Sequence, residues 1–232
     1  MDYLLDAVSG AFRLILSLDR EVFTITLLSL RIAVSATIIS AVLGIPLAYT
    51  VATRDFPGKG FLLTIFNTLM ALPTVVVGLF CYSFLSRRGP LGFLDLLFTP
   101  TGIIIGDIIL AFPLIVGLTI AAVNLVDPRV RMTALSLGAS PRQASLTVLS
   151  EVRFGLMAAL VNGFGRVVAE VGSAMMLGGN IRGYTRTITT AIALETSKGE
   201  FAFGMALGII LLTLALSVNI TFRRLQIRMK NQ

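Results

Sequence analysis

GIIIGDIILAFPLIVGLTIAAVNLV, residues 102–126, carries a single charged residue, Asp107, in a run longer than a bilayer core requires. About 20 mostly apolar residues suffice for a helix to cross the hydrocarbon layer. Four further stretches meet that requirement: Val22–Ala52, Phe61–Leu85, Phe154–Leu177 and Phe201–Phe222. Across all 232 residues the chain is 56% hydrophobic and 13% charged, with a mean hydropathy of +0.91. An ordinary soluble domain is about one quarter charged. The expected class is therefore all-α, a single polytopic membrane domain over residues 1–232 with about five transmembrane helices in the lipid bilayer.

Residues 1–21 read as an amphipathic, interfacial segment, because Asp2, Asp6, Arg13 and Asp19 interrupt the apolar residues too often for a span. With no His and the single cysteine Cys81, nothing in the chain suggests a metal centre, haem ligands, a disulfide or another cofactor. The net charge of +7 could suggest nucleic acid, but its placement points to a membrane topology instead. If five spans alternate, segments 54–60, 127–153 and 223–232 share one side and hold the excess of Lys and Arg. The positive-inside rule makes that side cytoplasmic, with the N-terminus outside and the C-terminus inside.

Two prolines fall within spans, Pro73 in ALPTVVVG and Pro113 in AFPLIVG. Each removes a backbone donor and is expected to kink or break its helix. Broken helices persist at membrane depth where protein or a water-filled cavity meets the freed groups, so two breaks favour a translocation pathway over a plain anchor. An integral membrane enzyme is the alternative class, but the spans hold no cluster of nucleophile, base and acid. A membrane adaptor is another, and the broken helices and the long loop at 127–153 argue against it.

That loop reads as helix, turn, helix. DPRVRMTALSLG opens with Asp127 as N-cap and Pro128 at the first helical position, and it stops at Gly138. SPRQASLTVLSEV repeats the pattern from Ser140 and Pro141, with Leu146, Leu149 and Val152 at helical spacing as its apolar face. A short amphipathic helix there lays that face on lipid or in a partner's groove.

ALSLGASPRQASLTVL resembles the EAA loop of ABC-transporter permease subunits, in which Ala134, Gly138, Ala139 and Ser140 fit the pattern. Met132 and Thr133 stand where that pattern has Glu and Ala, and Ser150 and Glu151 replace its closing Leu-Pro. GIPLAYTVATRDFPGKG, LPTVVVG, RRGPLG and GRVVAEVGSAMMLGGNIRGYTRTITTAIALE are similar to segments of the molybdate, sulfate and tungstate permeases. GGNIRGYTRTITTAIALETSKGEF most resembles the tungstate-specific group. The resemblance implies an ABC importer type I permease in the inner membrane that carries tungstate, or molybdate or sulfate with the same architecture. It also implies a coupling helix at residues 127–153 with Ala134, Gly138, Ala139, Ser140 and Arg142 at the contact, a second copy of the chain, a dimer of ATPase subunits and an external tungstate-binding protein. PGKG lacks the G-x-x-x-x-G-K-[ST] spacing of a phosphate loop, so ATP hydrolysis belongs to another chain.

Ser173, Gly178, Gly179 and Asn180, small or neutral, are candidates for the translocation pathway, with a packed helix end as the alternative. Arg166 and Glu170 stand four residues apart and are expected to pair on one helix face, as a structural pair in preference to a substrate contact. Arg31 is expected to snorkel outward or to pair with Asp107. In the loop at 179–200, Arg182, Thr185, Arg186 and Thr187 would meet a binding protein or steer anions, or form a merely solvated loop.

Overall fold

The structure, a computed structural model, describes residues 2–230, and the side chains of residues 7–228. Asp2, Asp6 and Lys230, which entered the charge reading, have side chains outside the described residues. Among the described residues, eleven α-helices and one 3-10 turn at Gly92–Leu94 follow one another: α1 Asp2–Leu16, α2 Arg20–Thr53, α3 Lys59–Met70, α4 Thr74–Leu85, α5 Pro100–Asn124, α6 Pro128–Ser136, α7 Pro141–Glu151, α8 Arg153–Val168, α9 Gly172–Gly178, α10 Ile188–Lys198 and α11 Phe201–Lys230. No strand occurs among the described residues.

Three of the five expected spans are continuous helices: α2, α5 and α11 are each long and apolar enough to cross a membrane. The second is broken, α3 and α4 meeting at 100° across Ala71–Pro73, where Pro73 becomes the cap of α4. Pro113 does not do the same. It is buried inside an α5 that runs unbroken from Pro100 to Asn124, because neighbouring helices hold that region on all sides. The fourth expected span also departs from the reading. At 16 residues α8 is only about 24 Å long, and the chain breaks at Ala169–Val171 before α9 resumes.

Helix α5 is the central element: 56% of its most apolar window is buried, against 17% for α11, which leaves most of its surface to lipid or a partner. Ala111 and Ile115 of α5 are fully buried against Ala33 and Ala36 of α2 and Phe164, Val167 and Val168 of α8. Small residues set the approach between helices: a Cβ on Gly163 would lie 2.8 Å from Ile115 Cδ1, and one on Gly155 2.5 Å from Ala122 Cβ. Helix α1 lies against the start of α11, where a Cβ on Gly10 would stand 3.0 Å from Ala202 Cβ. One end of the bundle is closed by Val22, Ile25, Ile188, Ala191 and Leu207, and the opposite end by Val123, Val148 and Val152 beneath α6 and α7.

Candidate coupling helices and translocation face

The 127–153 segment folds as two short helices whose ends are fixed by their own side chains and turns. Asp127 caps α6 by accepting the Arg129 N–H at 2.8 Å, and Pro128 occupies the first turn. At the far end Gly138 has φ +89°, its N–H reaching the Leu135 carbonyl at 3.0 Å while the Ala139 N–H reaches the Ala134 carbonyl at 3.0 Å. This is a Schellman motif, with Gly138 in the left-handed position that side chains disfavour. Ser140 immediately begins α7 with a capping box: it accepts the Gln143 N–H at 3.4 Å, and the Gln143 side chain accepts the Ser140 N–H at 2.8 Å. Ala134, Gly138, Ala139 and Ser140 are thus the consecutive parts of one corner, and exposed Arg142 follows in the first turn of α7.

The inward face of α7 is Ala144 and Val148, which are buried, with Val152 and Leu149 joining the same cluster. Leu146, expected on that face, instead points away and is 65% exposed, as a residue midway between Ala144 and Val148 must be on a helix. With Met132 and Leu137 it leaves large apolar side chains open on this helix pair. Beside them lies a cleft of about 430 Å³ whose lining includes Asp55, Asn124, Asp127, Arg131 and Met132.

Ser173, Gly178, Gly179 and Asn180 come together around α9, but two of them face the protein interior. Ser173 is fully buried, and a Cβ on Gly178 would meet Ile103 Cδ1 at 2.6 Å. Gly179 ends α9 in a left-handed conformation against Phe98, and Asn180 donates to the Thr190 carbonyl at 3.3 Å. They shape the end of α9 from within.

The expected Arg166–Glu170 pair does not form. Helix α8 ends at Val168, so Glu170 leaves the helical register and accepts the Ser173 N–H at 2.9 Å. Arg166 turns to the break between α3 and α4 and donates to the Leu72 carbonyl at 3.2 Å, one of the acceptors freed there. Arg31 is exposed on α2 while Asp107 is 1% exposed in α5, and no ion pair joins them among the described residues.

A face not anticipated from the sequence lies on α8 and its C-cap: Ala158, Asn162, Gly165 and, at the cap, Ala169 are all exposed at helical spacing. A Cβ on Gly165 would meet nothing within 4 Å, unlike those on Gly155 and Gly163. Small and polar residues on an exposed stripe within the membrane suit water or a second chain better than lipid. The spacing was present in the sequence, but the density of glycine hid which ones pack and which lie open.

Of Arg182, Thr185, Arg186 and Thr187, expected in an exposed basic and hydroxyl-rich loop, only Arg182 is exposed: Thr185, Arg186 and Thr187 are at most 8% exposed. Ile188 N–H donates to Ser29 Oγ at 2.8 Å, and Thr185 Oγ1 donates to the Gly178 carbonyl. Arg186 lies 3.4 Å from both Glu21 and Glu195, and exposed Arg182 pairs with Glu21. That hydrogen bond, then the Glu21 charge, raise the Arg182 pKa above its ordinary value. Arg182 and Arg186 are answered by carboxylates of the same chain, so these two do not form an open basic funnel.

Prediction at this site concerns Arg166. Arg166→Met removes a charged donor from Leu72, an interaction worth about 1.5–3 kcal/mol. The variant is expected to melt several degrees below wild type, with partial recovery in Arg166→Lys; unchanged melting of Arg166→Met would show that the break does not need this donor.

A broken-helix bundle with three helices long and apolar enough to cross a membrane, and a capped helix pair at one end, is the frame of a polytopic membrane protein. The chain belongs to the family described as binding-protein-dependent transport system inner membrane component, which matches residues 24–231. It is thus a membrane permease subunit rather than an enzyme. It is 38% identical to the tungstate uptake system permease protein TupB of Peptoclostridium acidaminophilum, over 97% of this chain and 99% of that protein. A probable anion ABC transporter permease protein of Haloferax volcanii is 43% identical over 84% of this chain and 87% of its own. The molybdenum transport system permease protein ModB of Escherichia coli (strain K12) is 30% identical over 75% of this chain and 80% of its own.

Proposed function

We propose that this chain is the membrane-spanning subunit of an ABC importer for tungstate, driven by ATP hydrolysis on a separate pair of subunits. The observation that carries the substrate reading is the near end-to-end similarity to a tungstate uptake permease, against lower and shorter similarity to a molybdenum permease. Molybdate or sulfate, tetrahedral dianions of the same charge, are the second reading, supported by the similarity to ModB and to the sulfate permease CysW.

In this reading α6 and α7 form the coupling element. Their rigid corner at Ala134, Gly138, Ala139 and Ser140 presents Leu137, Leu146 and Arg142 to a cleft on the ATPase, while Val148 and Val152 pass its displacement into α5 and α8. The end carrying this pair is cytoplasmic, which sets the N-terminus outside and the C-terminus inside. Two copies of the chain face each other across a route lined by the α8 stripe, with Ser173, Gly178, Gly179 and Asn180 holding the α9 end that borders it. Residues 179–200, including α10, lie at the external end and receive the tungstate-binding protein. A dianion passing this route meets hydroxyls, amides and backbone donors rather than bare arginines, so it is stabilised without being trapped.

The test is ATPase activity of the reconstituted complex with its binding protein under saturating tungstate, molybdate or sulfate. Selective stimulation by tungstate is the expected outcome. Equal stimulation by all three would reduce the substrate to tetrahedral oxyanions as a class, and no stimulation by any would overturn the oxyanion reading.

A further inference from the structure

Two acidic side chains from distant parts of the sequence line one small cavity. Asp107 lies inside α5 and Glu170 in the break between α8 and α9; they are 1% and 5% exposed. Ser29 of α2 and Thr187 and Thr189 at the start of α10 line the same cavity, and its other walls are aliphatic. Its volume of about 10 Å³ admits roughly one water-sized occupant.

The partners of these groups leave both carboxyls without a counter-charge and one oxygen of Asp107 without any partner. Glu170 accepts the Ser173 N–H at 2.9 Å, whereas Asp107 Oδ1 is buried with no hydrogen-bond partner. Neither carboxylate joins an ion pair among the described residues. The arginines that could have served are committed elsewhere, Arg166 to the Leu72 carbonyl and Arg186 to Glu21 and Glu195. The hydroxyl groups do not help Asp107 as donors: Ser29 gives its hydrogen to the Ile25 carbonyl and Thr189 to the Glu170 carbonyl. What those two hydroxyls have left to offer is one oxygen lone pair each, since Ser29 Oγ already accepts the Ile188 N–H and Thr189 Oγ1 meets Thr187 Oγ1 at 3.2 Å. A buried carboxylate without a counter-charge is strongly disfavoured, and an all-oxygen donor set suits a hard cation.

We propose that the cavity between α2, α5, the α8–α9 break and α10 binds a single monovalent metal cation of sodium size, held by Asp107, Glu170 and the hydroxyl oxygens of Ser29, Thr187 and Thr189, with one proton shared by the two carboxyls so that the site is neutral. Divalent ions fit less well. Calcium takes six to eight oxygens and magnesium usually keeps several waters, for which this cavity has no space. No group of three or more His, Cys, Asp or Glu side chains suited to a metal occurs among the described residues. The cation ties the broken fourth span to α2, α5 and α10, so it stabilises the arrangement of the external end.

The test is thermal unfolding of the purified full-length permease in its complex, in choline chloride replaced stepwise by sodium chloride at constant ionic strength. A saturable rise in melting temperature with sodium, larger than with potassium, is expected. Asp107→Asn should abolish that dependence, and Asp95→Asn, at an exposed carboxylate, should retain it. If Asp107→Asn does not fold, binding of radioactive sodium to the wild-type complex, displaced by sodium chloride but not by choline chloride, carries the test. A wild type indifferent to sodium in both assays would overturn the proposal, as would an Asp107→Asn variant that responds like wild type. An infrared band of a buried protonated carboxyl, lost in Asp107→Asn with no sodium response, would overturn it in favour of a proton.

Discussion

Gly138→Val is expected to reduce ATP-driven uptake by more than tenfold while leaving the melting temperature of the membrane bundle nearly unchanged. Gly138 has φ +89°, where a β-branched residue is a genuine outlier. A Cβ there would meet nothing within 4 Å, so the defect is conformational and not a collision. Holding a residue other than glycine in such a conformation costs on the order of 1–3 kcal/mol. The chain relieves that strain by giving up the paired Gly138 and Ala139 hydrogen bonds, which moves Ser140 and with it the start of α7. Since the corner is exposed and far from the core, the loss should show in coupling before stability. Gly138→Asn separates the two readings, because asparagine tolerates the left-handed region and should restore most of the uptake. Normal uptake and ATPase coupling in Gly138→Val would remove the corner from the coupling path.

The second large effect is on folding. Gly78 of α4 faces α9, and a Cβ there would stand 2.9 Å from Ser173 Cα and 2.9 Å from Met176 Sδ. Gly172 makes the reciprocal approach, its Cβ position being 2.9 Å from Val75 Cγ2 and 3.0 Å from Thr74 Oγ1. The methionine could move; the Ser173 backbone cannot, because its N–H is held by Glu170. Overpacking of this kind costs about 1–3 kcal/mol and occasionally more. Gly78→Leu should therefore lower the melting temperature of the purified permease by several degrees and reduce the amount recovered from the membrane. Gly165→Ala, in the interior of α8 where a Cβ meets nothing within 4 Å, should not lower the melting temperature. Equal melting of Gly78→Leu and wild type would mean that α4 and α9 do not pack in this way.

These two glycines show how unevenly the sequence displayed its structure. Gly138 was legible because its role is local: a cap, a turn and a new cap follow one another along eight or so residues of chain. Gly78 was not, because nothing near it in sequence indicates that α9 crosses there. The same difference separates Pro73, which caps α4 after a break whose Leu72 carbonyl accepts from Arg166, from Pro113, which stays inside a continuous helix surrounded by neighbours. Arg166 and Glu170 looked like partners at helical spacing, yet that spacing has meaning only while the helix continues, and α8 stops between them.

The sequence by itself determined that the chain is a helical membrane protein, where α2, α5 and α11 run, and how the ends of α6 and α7 are capped. Apolar run length and turn chemistry are properties of neighbouring residues, and the bilayer enforces them independently of the rest of the fold. Only the tertiary structure decided which polar groups meet. Arg166 reaches a carbonyl 94 residues away, Ile188 reaches Ser29 across 159, and Asp107 and Glu170 share a cavity that no local pattern encodes. In a medium without water each buried polar group must find its partner inside the protein, and packing, rather than sequence distance, selects which partner is within reach.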